Sequence, residues 1–403
     1  MKITDEFITN GIIELYSHPD QVQNIVITGD MCPLTSAAFG LRNGSEDSYD
    51  KSIQTLLKNS VAITNLECPL TLASDKTSKT GPCLKGHPSY SDVIASIGMN
   101  IISLANNHIY DFGESGLLDT IENCKRSGLD TIGAGENLSE AGNANYVSIG
   151  DSQIAFLAGA ENEFGIADKD SSGACPIDPL VDTKRVQEAK NNADIVIYIY
   201  HGGNEYFEYP NPWMKKYCRY LIEIGADAVI CHHSHVMSGV EIYQESPIVY
   251  GTGNFYFPWP ASRPDSWYTG YLVRLNVFSR RIASIELLPY TQCINNSSTV
   301  SLLTGNDKED ILGQIADISS NLSNEEYLKR KWESFCCDRK YAYISSVLQL
   351  SGIERRVYAR TGKLLFAGKR RKSLLRTLNT IRCESHRIAL LESIQLELDR
   401  NKC

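Results

Sequence analysis

The feature that most constrains the fold of this chain is a series of short apolar runs, rich in Val, Ile and Ala, that have the length of buried strands. They are Asn24–Thr28, Val61–Thr64, Asn100–Leu104, Ile154–Ala158, Asp194–Tyr200, Ala228–Ile230 and Ile248–Tyr250. Segments with helical spacing of apolar residues lie between them, namely Ser48–Asn59, Gly116–Ser127, Asp182–Asn192 and Trp213–Ile224. This alternation of strands and helices predicts an α/β fold.

Acidic, amide and histidine side chains follow six of these runs at the point where each strand ends. They are Asp30, Asn65, Glu67, Asn106, Asn107, His108, Asp111, His201, Glu205, the cluster Cys231–His235 and Asn254. Because ligand sites in α/β sheets form beyond the carboxyl ends of the strands, we expect these side chains to meet at one edge of a sheet.

The types of these side chains indicate which ligand they would bind. Carboxylate oxygen, amide oxygen and neutral imidazole together suit a divalent transition metal such as Mn, Fe or Zn. Two-metal hydrolases use a bridging carboxylate in such a site to activate water. The chain contains no CxxC pair, glycine-rich phosphate loop or GxSxG elbow, which disfavours a structural zinc site, a nucleotide cradle and a serine hydrolase.

Each of these residues also has a purely structural interpretation. An aspartate after a strand is often a helix N-cap, and Asn106–Asn107 would shape a turn. His201 alone would be a hydrogen-bonded core residue, and the three histidines within 232–235 could belong to a solvated loop. The recurrence of these residues at the same end of successive strands favours the metal site.

Charge divides the chain into two parts. Residues 1–326 hold 21 Lys+Arg and 41 Asp+Glu, whereas residues 327–403 hold 18 and 7. A polar stretch begins at Gln292, and from Tyr327 onward leucine, arginine, lysine and glutamate recur at helical spacing. Together with the charges, this predicts an acidic α/β domain over 1–291, a polar linker with a short helix over 292–326, and a basic helical segment over 327–403. The net charge of −9 argues against a nucleic-acid partner.

The basic cluster Lys369–Lys372 is followed by leucines, which suggests docking to an acidic protein partner or a membrane face. The alternative is a solvated basic helix packed against the acidic part. No apolar run reaches the ~18 residues needed to cross a membrane, and the N-terminus lacks the basic and apolar stretches of a signal peptide. We therefore expect a cytoplasmic protein.

Six segments of the chain resemble the capsule-synthesis CapA family, also described as poly-γ-glutamate biosynthesis proteins, whose fold is similar to that of calcineurin-like metallophosphoesterases. They are Gly29–Asp30, Asn65–Glu67, Ser103–Leu117, His201–Tyr206, Gly225–Val236 and Tyr250–Phe257. The resemblance implies a metallophosphatase-like α/β/β/α sandwich, to which this chain adds a basic helical C-terminal appendage.

The resemblance also implies roles for individual residues. Two divalent metal ions (Mn, Fe or Zn) would be held by Asp30, Glu67, Asn107, His201, His232 and His235. His108 would donate a proton to the leaving group, with Asp111 as its catalytic neighbour. Substrate binding is assigned to Asn65, Asn106, Glu205 and Asn254. The residues that would fix the metal ligands in position are Asn65, Asn106 and Asp111.

The chain departs from the family pattern at the walls of the expected pocket. Gly202 stands where the family usually has Trp, and Pro258 stands where an acidic residue often follows the G-N-F-x-F motif. The segment Cys231–Val236 lacks the usual Gly and Pro but keeps both ligand histidines. The metal ligands are thus retained while the pocket walls differ.

These observations give one leading hypothesis and two alternatives. The leading hypothesis is a metal-dependent hydrolase that acts on a phosphoester or an amide-linked anionic substrate, in capsule, poly-γ-glutamate or related cell-surface polymer biosynthesis. The first alternative is a non-catalytic, metal-stabilised scaffold that docks to a biosynthetic partner or membrane face through its basic tail. The second is an enzyme that forms or cleaves a peptide-like bond on a small substrate.

An anionic polymer or phosphoester would be repelled by the acidic part of the chain unless local basic residues offset its charge. Arg42, Lys85, Arg263 and Arg274 are candidates for this role, although the sequence gives them no location.

Overall fold

The structure is a computed structural model that describes residues 5–17, 22–34, 46–348, 350–361 and 367–400. The chain divides into two compact units, Met1–Leu328 and Lys329–Cys403.

The strands of the first unit are β1 (Ile12–Glu14), β2 (Gln23–Met31), β3 (Val61–Leu66), β4 (Ile101–Ser103), β5 (Asp130–Ile132), β6 (Ala134–Gly135), β7 (Asn145–Ile149), β8 (Ser152–Ala160), β9 (Gly173–Ala174), β10 (Ile195–His201), β11 (Ala228–His232), β12 (Val240–Tyr243), β13 (Ser246–Val249), β14 (Asn254–Tyr256), β15 (Thr269–Phe278), β16 (Arg281–Gln292) and β17 (Val300–Leu302). The helices of the chain are α1 (Asp5–Asn10), α2 (Lys51–Lys58), α3 (Tyr90–Ser96), α4 (Gly113–Arg126), α5 (Leu138–Ala141), α6 (Pro179–Asn192), α7 (Pro212–Glu223), α8 (Gly305–Asn321), α9 (Glu325–Val347), α10 (Gly352–Thr361), α11 (Ala367–Arg382) and α12 (Glu384–Arg400).

Two large sheets organise the first unit. One follows the order β1-β16-β15-β2-β3-β4-β5, with β14 beside β2 and β17 beside β16. The other follows the order β12-β13-β11-β10-β8-β7, and its four central strands run parallel. The carboxyl ends of parallel strands lie at the same edge of a sheet, which places the residues after β2, β3 and β4 together, and those after β10 and β11 together.

Both sheets contribute to one hydrophobic core. Ile25, Ile63, Ile154, Ile197 and Ile230 are fully buried members of this core and come from both sheets. Each sheet carries helices as well: α2 and α4 pack on the first sheet, and α6 and α7 pack on the second. Strands covered on both faces read as continuous apolar runs, which explains the sequence pattern. The predicted α/β/β/α sandwich is confirmed.

Local sequence signals start the two helices that flank β10. Asp178 accepts a hydrogen bond from the N–H of Leu180 at the start of α6, and Asn211 accepts one from the N–H of Met214 at the start of α7. Proline occupies the first position of both helices, where its missing N–H has no cost. These caps fix where each helix begins after the preceding strand or loop.

Gly29 allows a close approach that positions the end of β2. A Cβ at this residue would lie 2.1 Å from the carbonyl oxygen of Gly253, so no other residue fits without moving the backbone. The next residue, Asp30, donates its N–H to that same carbonyl at 3.0 Å. In the sheet, Asp30 is in register with Asn65 on β3 and Asn254 on β14.

The segment 292–326 differs from its prediction as a polar linker with a short helix. It contains β17, which extends the first sheet, and the 17-residue helix α8. Leu312 and Ile315 of α8 are fully buried in the core. The segment is polar on average, but its helix has one apolar face. One such face is enough to pack a helix against a sheet. The predicted division into 1–291, 292–326 and 327–403 stays a prediction.

The second unit is helical, as the sequence predicted. Leu348, Leu350 and Tyr358 form its small buried cluster, and α11 packs on α12. None of the helices in the described parts of the chain has both the length and the apolar character that crossing a membrane requires. The cytoplasmic location stays a prediction.

Candidate metal centre

The predicted site residues gather where strands from both sheets end. Asp30 lies on β2, Glu67 and Asn107 follow β3 and β4, and His201 and His232 end β10 and β11 in register with each other. The expectation that these residues share the edge of one sheet was wrong, because the strands divide between two sheets that share a core. A strand's apolar pattern shows that it is buried but not which sheet it joins.

Asp30 is buried and contacts several of the predicted ligands. Its Oδ1 accepts a hydrogen bond from Asn65 Nδ2 at 2.8 Å and lies 3.2 Å from His232 Nδ1. Its Oδ2 accepts from the N–H of His233 at 3.0 Å and lies 3.7 Å from His235 Nδ1. Burial raises the pKa of Asp30, but the hydrogen bond and charge of His232 outweigh it and hold the pKa well below its ordinary value. Asp30 is therefore ionised.

Glu67 is fully buried, and neither of its carboxylate oxygens has a hydrogen-bond partner among the described residues. Its Oε1 lies 3.7 Å from His201 Nε2 and 3.8 Å from His235 Nε2. Burial and the nearby charge of Asp30 raise the pKa of Glu67 well above its ordinary value. A buried carboxylate without donors is costly unless a cation neutralises it, so this position fits a metal ion.

Imidazole nitrogens surround this carboxylate. Nε2 of His201 lies 3.1 Å from Asn107 Oδ1, and its Nδ1 lies 3.2 Å from Asn65 Nδ2. Burial lowers the pKa of His201 well below its ordinary value and lowers that of His235 too. Both rings are therefore neutral near pH 7, which is the form that binds metals. Nε2 of His232 and Nδ1 of His233 are buried without a partner among the described residues.

Two overlapping groups of side chains could each hold a metal ion. Asp30, Glu67 and His235 form one group, and Glu67, His201 and His233 form the other. The ligand atoms within each group lie within 4.8 Å of one another. Because Glu67 belongs to both groups, its carboxylate is placed to bridge them. This mixture of oxygen and imidazole nitrogen suits Mn, Fe or Zn.

His233 is a candidate ligand that the predicted set omitted. It and His235 have left-handed backbone conformations, with φ of 90° and 57°. Such conformations cost about 1–3 kcal/mol each in non-glycine residues and concentrate at functional sites. The sequence did mark His233 as part of the cluster Cys231–His235, but it gave no means of telling which histidines face the carboxylates.

Asp111 holds His108 in place. Nδ1 of His108 lies 2.6 Å from Asp111 Oδ2, which also accepts a hydrogen bond from the N–H of Leu84 at 2.6 Å. The buried Lys79 pairs with Asp111 and donates to the carbonyl of Asn107 at 3.1 Å. Lys79 was not predicted, because a lysine in a polar loop carries no signal of the residue it will meet. With Nδ1 occupied, Nε2 is the ring nitrogen left for proton transfer.

The three asparagines assigned to substrate binding are fully buried. Asn65 bonds Asp30 as described above, and Asn106 donates to the carbonyl of Leu66 at 2.8 Å. Asn254 Oδ1 lies 2.9 Å from His235 Nδ1. Glu205, the fourth residue, is exposed. The geometry of the three asparagines is that of residues that orient ligands, and the substrate-binding role of all four stays a prediction.

Two solved structures are similar to part of this chain. A hypothetical protein from Thermus thermophilus is 15% identical, with a TM-score of 0.42, and the match covers 67% of this chain and 99% of that one. A phosphatase from Mycoplasma pneumoniae is 13% identical, with a TM-score of 0.39, and the match covers 72% of this chain and 97% of that one.

Curated relatives are more similar in sequence. The capsule biosynthesis protein CapA of Bacillus anthracis is 28% identical over an alignment of 291 residues, and the match covers 68% of this chain and 68% of that protein. The PGA biosynthesis protein CapA of Bacillus subtilis is 33% identical over 189 residues, 46% of this chain and 50% of that protein. A probable polyglutamine synthesis accessory protein of Mycobacterium tuberculosis is 30% identical over an alignment of 207 residues, and the match covers 48% of this chain and 54% of that protein.

The chain thus spans about two thirds of the first of these relatives and about half of the other two. The profile of the family described as bacterial capsule synthesis protein PGA_cap matches residues 24–258, which is more than half of the chain and contains every candidate ligand. The resemblance seen in the sequence is confirmed, and the chain belongs to the PGA_cap family of bacterial capsule synthesis proteins.

Proposed function

We propose that this protein is a metal-dependent hydrolase that acts on a phosphoester or an amide-linked anionic substrate. The observation that carries the proposal is the fully buried carboxylate of Glu67, which has no described hydrogen-bond donor and belongs to both candidate ligand groups. A purely structural core would not keep such a group, whereas a site for divalent cations needs one. The names of the relatives support a role in capsule, poly-γ-glutamate or related polymer biosynthesis.

We infer that the centre holds two divalent ions, with Mn, Fe and Zn as the candidates. The residues that would hold them are Asp30, Glu67, Asn107, His201, His232 and His235, with His233 in addition. Divalent ions in such sites lower the pKa of water and stabilise negative charge on the attacked group.

The remaining residues of the centre support proton transfer and ligand orientation. Asp111 fixes the ring of His108 through Nδ1, so that Nε2 can donate a proton to the leaving group. Lys79 holds the Asp111 carboxylate from its other side and also fixes the backbone at Asn107. Asn65 orients both Asp30 and His201 with one amide group.

Metal analysis combined with a substrate panel tests the proposal. We expect purified protein to carry up to two equivalents of metal by mass spectrometry, and the Asp30→Ala and His232→Ala variants to lose most of it. Asp151→Ala and His87→Ala change exposed residues of the same types and should retain the metal. Natively folded wild-type protein that takes up none of the three metals would refute the metal centre.

The panel consists of a phosphomonoester, a phosphodiester and a γ-glutamyl peptide, each supplied to the metal-loaded protein. Hydrolysis of any one should disappear in Asp30→Ala and His232→Ala, and the class hydrolysed separates phosphoester from amide chemistry. Cleavage of the peptide alone would favour an enzyme that acts on a peptide-like bond of a small substrate. Equal activity in the wild type and both ligand variants would refute the proposed role of these residues.

A non-catalytic scaffold is the second candidate function, and the surface of α11 favours it. Leu375, Leu378 and Ile381 are exposed along this helix, next to the basic Lys372. Positions 369–371 belong to α11, but their side chains lie outside the described residues. We propose an acidic protein or an anionic membrane face as the docking partner.

Charge removal at this cluster tests the docking. Replacing residues 369–372 with glutamine should abolish sedimentation with anionic vesicles, or capture of an acidic biosynthetic partner, since attraction near a surface is about 1 kcal/mol per basic residue. The double variant Arg355→Gln/Arg356→Gln in α10 is the control and should bind as the wild type does. Binding that is unchanged by the four substitutions would contradict the docking role.

A further inference from the structure

The structure gives locations to the basic residues that could offset the acidity of the first unit. Lys85 donates to the carbonyl of Ala73 and lies over the ring of Phe112, and Arg274 is paired with Glu286. Arg42 lies outside the described residues. Arg263 differs from these residues, because it lies beside the candidate metal centre.

Aromatic side chains hold the guanidinium of Arg263. Its central carbon lies 4.4 Å from the ring centre of Trp259 and 4.9 Å from that of Trp267. Its Nη1 donates a hydrogen bond to the hydroxyl of Tyr206 at 3.1 Å. Contact with aromatic rings of this kind restricts the position of a guanidinium without using its hydrogen-bond donors.

The charge and most of the donors of Arg263 have no partner among the residues that the structure describes. No carboxylate among the described residues lies within ion-pair distance of Arg263, and its Nε is buried without a partner among them. The Tyr206 contact uses one of the five N–H donors of the guanidinium. A buried donor without an acceptor is rare in proteins and calls for a partner.

The same aromatic rings connect Arg263 to the metal centre. The ring of Trp267 lies 4.8 Å from the ring of His235, and the ring of Tyr206 lies 6.4 Å from it. His235 belongs to one of the two candidate ligand groups. Trp267 and Tyr206 therefore each lie next to both the guanidinium and a candidate metal ligand.

The loop that carries Arg263 is fixed by hydrogen bonds. Nε1 of Trp267 donates to the carbonyl of Phe257 at 3.2 Å, and the carbonyl of Trp267 accepts from Gln292 at 2.9 Å. The N–H of Arg263 donates to the hydroxyl of Tyr268 at 3.3 Å. This loop begins at Pro258, where the family match ends and where the sequence departs from the family pattern. Its residues are thus a feature of this chain that the family match does not cover.

We propose that Arg263 binds an anionic group of the substrate, a carboxylate or a phosphate, beside the metal centre. The inference rests on the proposed function, because it assigns a recognition residue to the same site. Arginine suits this role, since its planar fork of donors matches two oxygens of a carboxylate or phosphate. In a unit with a large excess of acidic residues, a cation without an ion pair gives the site local attraction for an anion.

Calorimetric titration of the full-length protein tests the proposal with two probes, inorganic phosphate and a γ-glutamyl tripeptide. For the probe that the site accepts, we expect Arg263→Gln to weaken binding about 10- to 100-fold, as the loss of a charge-assisted hydrogen bond would. Arg263→Lys keeps the charge but not the fork and should weaken it at least about threefold. Arg280→Gln removes an exposed arginine elsewhere in the same unit and should change nothing.

The probe that responds identifies the anionic group as phosphate or carboxylate. Binding of both probes to Arg263→Gln within twofold of the wild type, or binding of neither probe to the wild type, overturns the proposal. If Arg263→Gln fails to fold by circular dichroism, Arg263→Lys decides, and wild-type binding by that variant overturns it as well.

Metal content measured on the same samples separates this inference from the proposed function. If the protein binds metal but its anion binding does not depend on Arg263, the result contradicts the proposed role of Arg263 and leaves the proposed hydrolase intact. Anion binding that depends on Arg263 in a protein that binds no metal supports the anion site and contradicts the hydrolase.

Discussion

The side chain of Glu67 is where the physical chemistry of single residues bears most directly on function. Its carboxylate is fully buried and its oxygens have no described donors, although two imidazole nitrogens lie within 4 Å of Oε1. Hydrogen-bonded carboxylates, such as that of Asp30, can stay ionised in a protein interior without a metal. Glu67 lacks that support, so its charge depends on a cation.

Glu67→Gln should therefore abolish most of the stabilisation that a metal gives to this protein. Saturating Mn²⁺ at about 100 times its dissociation constant should stabilise the wild type by about 3 kcal/mol, and the variant by less than about 1 kcal/mol. The measurement is thermal unfolding with and without the metal. Glu188→Gln on α6 changes an exposed glutamate and should respond as the wild type does. Equal stabilisation of wild type and Glu67→Gln would show that Glu67 is not a ligand.

His108→Asn should separate proton transfer from metal binding. The variant removes the ring that Asp111 orients, so the rate of hydrolysis should fall by about 100- to 10,000-fold, the usual contribution of a general acid. Stabilisation by Mn²⁺ should stay close to that of the wild type, since His108 belongs to neither ligand group. Loss of metal binding together with activity would place His108 among the ligands instead of the proton donors.

The sequence predicted which types of side chain lie at the candidate metal centre better than it predicted the role of each residue. Each predicted ligand followed an apolar run, and a strand end is a position that the sequence can locate. The pairing of Lys79 with Asp111 depends on the course of a polar loop, which has no periodicity to analyse. The orientation of His233 depends on the left-handed backbone conformations of His233 and His235 within one short turn. Neither residue is a glycine or asparagine, the types that would have predicted such a conformation.

At the level of helices and strands, most buried strands were predictable because their runs are continuous and apolar. The largest difference from the prediction is α8, because the segment that contains it is polar on average and was predicted to be a linker with a short helix. The helix buries Leu312 and Ile315 in the common core, and the hydroxyl of Ser319 accepts a hydrogen bond from the N–H of Val240 at 2.9 Å. A 17-residue helix needs only one apolar face to pack.

Leu312→Ala tests whether α8 is a structural part of the first unit. Removing a fully buried leucine side chain should lower the free energy of unfolding by about 2–5 kcal/mol, since it leaves a cavity in the core. Glu309→Ala on the exposed side of the same helix should change it by no more than about 0.5 kcal/mol. Urea denaturation of both variants gives the comparison. Equal stability of the two would mean that α8 behaves as the linker the sequence suggested.

Across the whole molecule, the acidic and the basic part of the chain also differ in the candidate functional residues that they contain. All the candidate ligands, and Arg263 as well, lie in the acidic first unit, whereas the excess of basic residues lies in the second. The second unit has its own buried cluster around Tyr358. Every candidate ligand thus belongs to the first unit.

A chain that ends at Leu328 should keep the metal centre intact. It retains α8 and the start of α9, including the contact of the buried Lys215 with the carbonyl of Leu322 at 2.7 Å and with Glu325 at 2.5 Å. We expect the truncated chain to bind the same equivalents of metal as the full chain, and metal to raise the melting temperatures of both by the same amount within about 1 °C. The Asp30→Ala variant of each chain is the matched control and should lose that rise. A truncated chain that is folded by circular dichroism but binds no metal would show that the basic helical segment completes the centre.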